Sequence, residues 1–221
     1  MLRTSGLSVF ALSLALGLVS LSVSAPQAQA IEVTPVLVGT FPHFKYSIDP
    51  GDAGFNSKLS PGFGVLVNIP LTVISLQTGL LYVTKSFGID DQSGFKDFYL
   101  KFKSLQVPVL ARISPFPMLT VGLGGYYALG VGKITAGAAF NDPQLPPNSR
   151  FDESGSYADT QFKRSDFGLE AAVGLKVPVD LGISIVGDAR YLFGLLNRHT
   201  GTSGSMKTRD LEFLAGVSFD I

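Results

Sequence analysis

Residues 119–134 read LTVGLGGYYALGVGKI, and two interleaved sets of side chains in this run decide the fold. The odd positions Leu119, Val121, Leu123, Tyr127, Leu129 and Val131, with Gly125 among them, form a greasy face. The even positions Thr120, Gly122, Gly124, Tyr126, Ala128, Gly130 and Gly132 are mostly small. A period of two is that of a β-strand, in which successive side chains leave opposite faces. A sheet with one face in water would carry Lys, Glu and Thr there, yet this face carries glycine and alanine. Such a face suits the cramped interior of a barrel whose apolar side looks into lipid.

The same alternation recurs on both sides of this run. Residues 31–41 set Ile31, Val33, Leu37 and Phe41 against Glu32, Thr34 and Thr40. Residues 62–69 set Phe63, Val65, Val67 and Ile69 against Gly62, Gly64, Leu66 and Asn68, and Pro70 marks a turn. A third strand near 72–87 places Ile74, Leu76, Leu80 and Tyr82 opposite Ser75, Gln77 and Gly79. The fourth, near 98–113, has Leu105, Val107, Val109 and Ala111 outward, with Gln106, Leu110 and Arg112 inward. Leu100 and Phe102 have the wrong parity for an outward set, so a bulge near Lys103 and Ser104 is expected. Pro108, which has no N–H for the ladder, is an awkward guest there. Strands six to eight follow near 167–177, 183–195 and 210–221, with Pro178-Val179-Asp180-Leu181 as the turn between the first two.

The count is eight strands joined by connections of alternating length. Those near Pro70, Pro115-Phe116-Pro117-Met118 and Pro178-Val179-Asp180-Leu181 are short, and the other four, including an irregular segment over 136–161, are longer and more polar. The expectation is an all-β, eight-stranded, antiparallel up-and-down transmembrane β-barrel with short periplasmic turns and longer extracellular loops. A soluble ligand-binding barrel would also alternate, so low charge and the small-residue face carry the choice.

Composition agrees with this expectation and narrows function. Across 221 residues the charged fraction is only 15% and the hydrophobic fraction 46%. After the N-terminal segment no apolar run reaches the ~18 residues of a transmembrane helix. Lys plus Arg and Asp plus Glu balance at 17 each, so no basic excess points to nucleic acid. With no cysteine, disulfides, thiolate metal sites and cysteine nucleophiles are excluded. Arg3, the apolar stretch 7–23 and Ala28-Gln29-Ala30 form the pattern of a cleavable signal peptide over 1–30, cut after Ala30, leaving 31–221 as the barrel.

Several segments resemble the PorT-like outer-membrane β-barrel family: SLQVPVLARISPFP, LTVGLGGYYALG, GLEAAVGLKV with ISIVGDARYLFGLLN, and the closing LEFLAGVSFDI. The likeness covers most of the chain after residue 30 and accommodates Pro108 in the fourth strand. It implies a bacterial outer-membrane barrel without an assigned activity. Gly216, Phe219 and Ile221 also resemble the C-terminal signal read by the barrel-assembly machinery. Leu214, where a polar residue is usual, and a terminal Ile rather than Phe depart from it.

The inward parity collects Glu32, Arg112, Glu170, Lys176, Asp188, Arg190, Asp210 and Glu212. A hairpin centred on Val179 would bring Glu170 opposite Asp188 or Arg190, and the next hairpin would bring Asp210 near Arg190. An eight-stranded barrel is just wide enough to be filled by side chains, so these charges read as a structural lumen network. His43 and His199 fall in loops without a nucleophile or base at a readable spacing. Asp90-Asp91 and the acidic residues of 136–160 lack a spaced calcium ligand set. Tyr82, Phe87, Phe98, Tyr99, Phe102, Tyr127, Tyr191 and Phe193 on the long-loop side, with Phe116 and Phe219 at the other end, suggest interfacial girdles. The plainer reading is that aromatics favour strands.

The expected function is an envelope barrel with a structural or surface-interaction role. It needs no cofactor, metal or catalytic residue, and its partners are outer-membrane lipids, the assembly machinery and an extracellular ligand held by loops, with the protein itself a monomer. The alternatives are a lipid-modifying or proteolytic barrel enzyme, a small pore, and a soluble periplasmic binding barrel.

Overall fold

Alternating apolar and small residues cannot bury one face as a helix does, but they pair readily as strands. In the computed structural model, which describes residues 30–46, 55–89, 95–140, 150–157, 160, 162–199 and 205–221, nearly every long segment is strand. The signal peptide expected over 1–30 lies outside the described residues except for Ala30, as do Asp90 and Asp91. Eight long strands are β1 (Glu32–Phe41), β4 (Ser60–Pro70), β5 (Ser75–Ile89), β6 (Phe95–Ile113), β7 (Leu119–Gly130), β10 (Ser165–Asp180), β11 (Ile183–Gly194) and β12 (Met206–Asp220). Four short ones are β2 (Phe44–Tyr46), β3 (Phe55–Lys58), β8 (Ile134–Phe140) and β9 (Arg150–Gly155).

Each long strand is antiparallel to its neighbours in sequence, in the order β1-β4-β5-β6-β7-β10-β11-β12. The ring closes where β12 returns to β1, with Val33 across from Phe219 and Phe41 across from Leu211. Closure removes every unpaired edge at this level, which a hydrocarbon environment requires of a sheet. The short turns and the two ends of the barrel chain lie together. Ile31 and Ile221 exchange backbone hydrogen bonds of 3.2 and 2.9 Å, and the Leu71 N–H donates to the Ile74 carbonyl at 2.7 Å. At the opposite end β2, β3 and β8 pair with β12, β5 and β6, extending the wall beyond the ring, and β9 adds to β8.

The orientation of side chains is the decisive result. Leu123, Val173 and Phe213 are 68%, 54% and 47% exposed, while Glu170, Arg190 and Glu212 are 0% exposed. The greasy set therefore faces outward and the charged set fills the hollow, the reverse of a water-soluble protein. Only a bilayer removes so wide a band of Leu, Val and Phe from water.

Four details differ from the sequence reading. The bulge expected at Lys103 and Ser104 is absent, because the β5–β6 register runs without a shift from Leu81 opposite Gln106 to Ile89 opposite Phe98. Phe102 keeps the inward parity and packs edge-to-face in an internal aromatic cluster with Phe44 and Phe87, with centroids 6.3 and 5.9 Å away. Phe87 and Phe102 are each 2% exposed, so they belong to this cluster and not to an interfacial girdle. The segment 136–161 is not wholly irregular, since β8 and β9 form a hairpin within it. The β10–β11 turn sits later than expected, at Leu181 and Gly182, where Gly182 adopts φ 75°, a left-handed conformation that costs glycine little.

Substituting Leu123→Arg should cost about 2–4 kcal/mol of stability in phospholipid vesicles, measured by urea titration, because it puts a cation into the apolar band. A cost under about 1 kcal/mol would mean that this face meets water.

Candidate functional site

The lumen is the only place where the fold concentrates polar chemistry among the described residues, and β10, β11, β5, β6 and β12 supply it by inward parity. Arg190, from β11, sits across from Ala172 of β10 and reaches Glu170 diagonally, with Nη1 2.9 Å from Oε1. Both side chains are 0% exposed. Register explains the diagonal: the turn at Leu181-Gly182 pivots the hairpin two residues beyond Val179, so Glu170 faces Leu192 and a long guanidinium spans the offset.

Around this pair two guanidinium groups share their acceptors. Arg112 of β6 holds Asp188 of β11 in a bidentate contact, Nη1 to Oδ2 at 2.8 Å and Nη2 to Oδ1 at 2.7 Å. The second oxygen of Asp188 also accepts from Arg190 Nη2 at 2.9 Å. Gln77 Oε1 of β5 accepts from both arginines, at 2.9 and 2.7 Å, and Thr120 accepts from Arg112 at 2.5 Å. Pairing and shared acceptors are what make these buried ions tolerable, although Arg112 Nε, Arg190 Nε and Glu170 Oε2 are buried without a hydrogen-bond partner.

Small residues on the inner face make room for this cluster. A Cβ on Gly174 would lie 1.8 Å from Asp188 Oδ1 and 2.7 Å from Arg112 Nη2, and one on Gly122 would lie 3.1 Å from Arg112 Cγ. The glycine-rich even set is thus the negative image of the arginines that it accommodates.

Nearer the long loops lies a second layer. Lys85 Nζ of β5 is 2.5 Å from Asp210 Oδ2 of β12, with side chains 2% and 0% exposed. Asp210 does not reach Arg190 as the sequence suggested: β11 and β12 pair with Glu212 opposite Arg190 and Asp210 opposite Leu192, a two-residue slip. The other Asp210 oxygen accepts from the His43 backbone N–H at 3.0 Å. Gln106 donates to Glu212 at 3.2 Å, and Asp166 accepts from Tyr126 at 3.1 Å and Thr208 at 2.6 Å. The Phe44, Phe87, Phe102, Ile134 and Met206 cluster caps this layer. Tyr157 packs on the cap in the space left by Gly130, and burial pushes its hydroxyl pKa up, so it stays a donor to the Lys103 carbonyl.

At the short-turn end the network opens. Lys176 of β10 meets Glu32 of β1 at 2.5 Å, partly exposed and beside Asn68. These line a cavity of about 120 Å³, floored by Arg112, Asp188 and Gln77, that ends against the ion cluster. Lys85 and Asp166 escaped the sequence reading, and Gln77 and Gln106, though placed on the inward face, were not singled out as members of the network. Lys85 lies beyond the stretch of β5 whose parity had been assigned, and the amides carry no charge to flag them.

His43 is exposed, and its contact to Asp210 uses backbone rather than imidazole. His199 makes an isolated bridge to Phe162. No group of three His, Asp or Glu able to hold a metal occurs among the described residues.

Removing Arg190 strands Glu170 while Asp188 keeps Arg112, so Arg190→Met should cost about 3–5 kcal/mol in urea titration, whereas Arg190→Met with Glu170→Leu should recover much of it. Gly174→Ala should cost about 1–3 kcal/mol by splitting the Arg112–Asp188 contact, and an unchanged midpoint would argue against the tight fit.

A family model described as outer membrane protein beta-barrel domain matches residues 27–199. No curated protein matches the chain. Among solved structures, Neisserial surface protein A is similar at 11% identity over 89% of this chain and 100% of that one, with a TM-score of 0.43. Ail, the attachment invasion locus protein of Yersinia pestis, is similar at 15% identity over 87% and 100%, with a TM-score of 0.41. A major outer membrane protein from Thermus thermophilus is similar at 12% identity over 87% and 100%, with a TM-score of 0.47. With the closed ring and its outward apolar band, the family match over most of the sequence identifies the chain as a member of the outer membrane protein beta-barrel domain family, resident in the bacterial outer membrane.

Proposed function

We propose that this barrel neither conducts solutes nor catalyses a reaction, and that its role is structural and surface-directed. The observation that carries this reading is the filled lumen, in which ion pairs join strands on opposite sides and an aromatic cap closes the long-loop end. An eight-stranded ring has little interior beyond its side chains. A solute entering the 120 Å³ cavity would have to break apart the cluster in which Arg112 and Arg190 share Asp188 and Gln77 in order to pass.

The surface role falls to the long-loop end, where the paired strands β8 and β9 stand beyond the ring and offer an extracellular ligand an extended edge. Loops carried on a rigid scaffold are where binding is commonly placed. The segments SLQVPVLARISPFP and LTVGLGGYYALG support the finer assignment to PorT-like barrels. Strand β12, which closes the ring against β1 and carries Gly216 and Phe219, with Ile221 just after it, is the segment we assign to the barrel-assembly machinery. The continuous apolar exterior supports a monomer surrounded by lipid.

In planar bilayers the purified protein should give no stable conductance steps at voltages that open small pores. Discrete steps of uniform size would overturn the sealed-lumen reading. Trypsin added to intact cells should cut at Lys133, Arg150, Lys163 or Arg164 and leave the barrel embedded, placing the long-loop end outside. Replacing His43 and His199 should leave lipid and peptide turnover at background, and a loss of measurable turnover would favour the enzyme instead.

A further inference from the structure

The cavity at the short-turn end has a divided wall. On one arc β12, β1 and β4 give it Leu214, Val36 and Leu66, all members of one apolar cluster. On the adjoining arc β5, the β6–β7 turn and β7 give it the hydroxyls of Ser75, Ser114 and Thr120. Its charged side chains are Glu32, Lys176, Arg112 and Asp188, two of each sign, so the wall is neutral. At ~30 Å³ of liquid volume per molecule, 120 Å³ is room for about four waters. A buried water needs two to four polar partners, and the Leu214, Val36 and Leu66 side supplies none.

The two ion pairs of this wall differ in how firmly they are held. Arg112 and Asp188, at the floor, are buried, joined by two hydrogen bonds and tied to Gln77, Thr120 and Arg190. Lys176 and Glu32, at the mouth, share one contact of 2.5 Å and are both partly exposed. A solvated pair of that kind costs little to separate. Beside it the Asn68 amide nitrogen donates to Glu32 Oε2 at 3.3 Å, while the Asn68 amide oxygen has no hydrogen-bond partner. The mouth thus offers a carboxylate with an unsatisfied amide oxygen on the β1 and β4 side. From the β10 side it offers an ammonium group, with the Ser114 hydroxyl on the neighbouring β6–β7 turn.

We propose that this cavity binds a small zwitterion from the periplasm, an α-amino acid with the bulk of glycine or alanine. The guest enters between Lys176 and Glu32, so that one exposed ion pair is replaced by two. Its carboxylate meets Lys176 and the Ser114 hydroxyl, and its ammonium group meets Glu32 and the stranded Asn68 oxygen. A short aliphatic side chain then lies on Val36, Leu66 and Leu214. Charge selects the class of guest: the wall is already neutral, and a simple anion or cation would bring an unmatched charge into a narrow lumen at considerable cost. Volume selects the size, since a long side chain has no space above the floor pair. The proposal rests on the lumen ending at the ion cluster, which makes the cavity a blind pocket that holds its guest rather than passing it on.

The test is titration of the detergent-solubilised full barrel with alanine, acetate, ethylammonium and phenylalanine, followed by saturation-transfer NMR of each small molecule. Alanine is expected to saturate the site at about 1–10 mM, and the other three to bind at least about tenfold more weakly. The double variant Glu32→Gln, Lys176→Met keeps the wall neutral and should lower the affinity for alanine by at least about tenfold, because it removes both charge-assisted contacts. Alanine that fails to saturate, acetate or ethylammonium that binds as tightly as alanine, or native affinity in the double variant overturns the proposal. The comparison of the four small molecules uses the unaltered protein, so it decides the matter even if the variant fails to fold. Conductance steps would refute the sealed lumen whatever alanine does, whereas absent alanine binding with a silent bilayer would refute the amino-acid site alone.

Discussion

A sheet in hydrocarbon cannot leave backbone N–H or C=O groups unpaired, and closing it on itself is the only way to satisfy them all. Everything else in this barrel follows from that closure at eight strands. The outside must be oily, so each strand spends its outward positions on Leu, Val, Ile and Phe. The inside is then a narrow tube that half of every strand's side chains must fill. Val36, Val38, Leu66, Leu81, Val83 and Leu214 fill part of it as an ordinary apolar core, the cluster of Phe44, Phe87 and Phe102 fills another part, and between them the filling is largely ionic.

The ionic part needs space of a particular shape, which explains the feature that first marks the sequence. Gly122 and Gly174 leave the volume that Arg112 and Asp188 occupy, and Gly130 leaves the volume of the Tyr157 ring. The small-residue face is therefore complementary to long side chains arriving from across the tube. Small residues opposite long ones keep the lumen packed at a fixed circumference.

Much of this architecture was legible in the sequence because period-two alternation is a local signal, and parity assigns each residue to lipid or lumen without knowledge of its neighbours. Inward placement of Arg112, Glu170, Asp188, Arg190 and Glu212 required nothing more. What parity cannot supply is pairing. The partner of Asp210 depends on register across the 195–205 connection and on Lys85 from a strand far away in sequence, so the pairing with Arg190 came out wrong. Phe87 and Phe102 misled for a related reason: an aromatic residue suits both the bilayer interface and an internal cap, and only the unbroken β5–β6 register separates the two. Glycine flexibility at Gly182 moved the β10–β11 turn, and with it the position of Glu170 relative to Arg190.

The pattern of the polar contacts says why charge, rather than more valine, occupies the centre. Arg112 to Asp188 joins β6 to β11, Gln77 to Arg190 joins β5 to β11, Lys85 to Asp210 joins β5 to β12, and Lys176 to Glu32 joins β10 to β1. None of these strand pairs is adjacent in the ring, so none of the contacts can form in an open sheet, where the two strands lie several places apart. Apolar side chains would gain by collapsing in many arrangements, including partly closed ones. Long, directional ion pairs are satisfied in one circumference and one register, and a strand slipped by two residues would leave several buried charges unpaired at several kcal/mol each. The cluster therefore penalises incomplete or shifted rings more than it rewards the finished one, and the specificity of closure resides in the lumen while the membrane supplies the driving force.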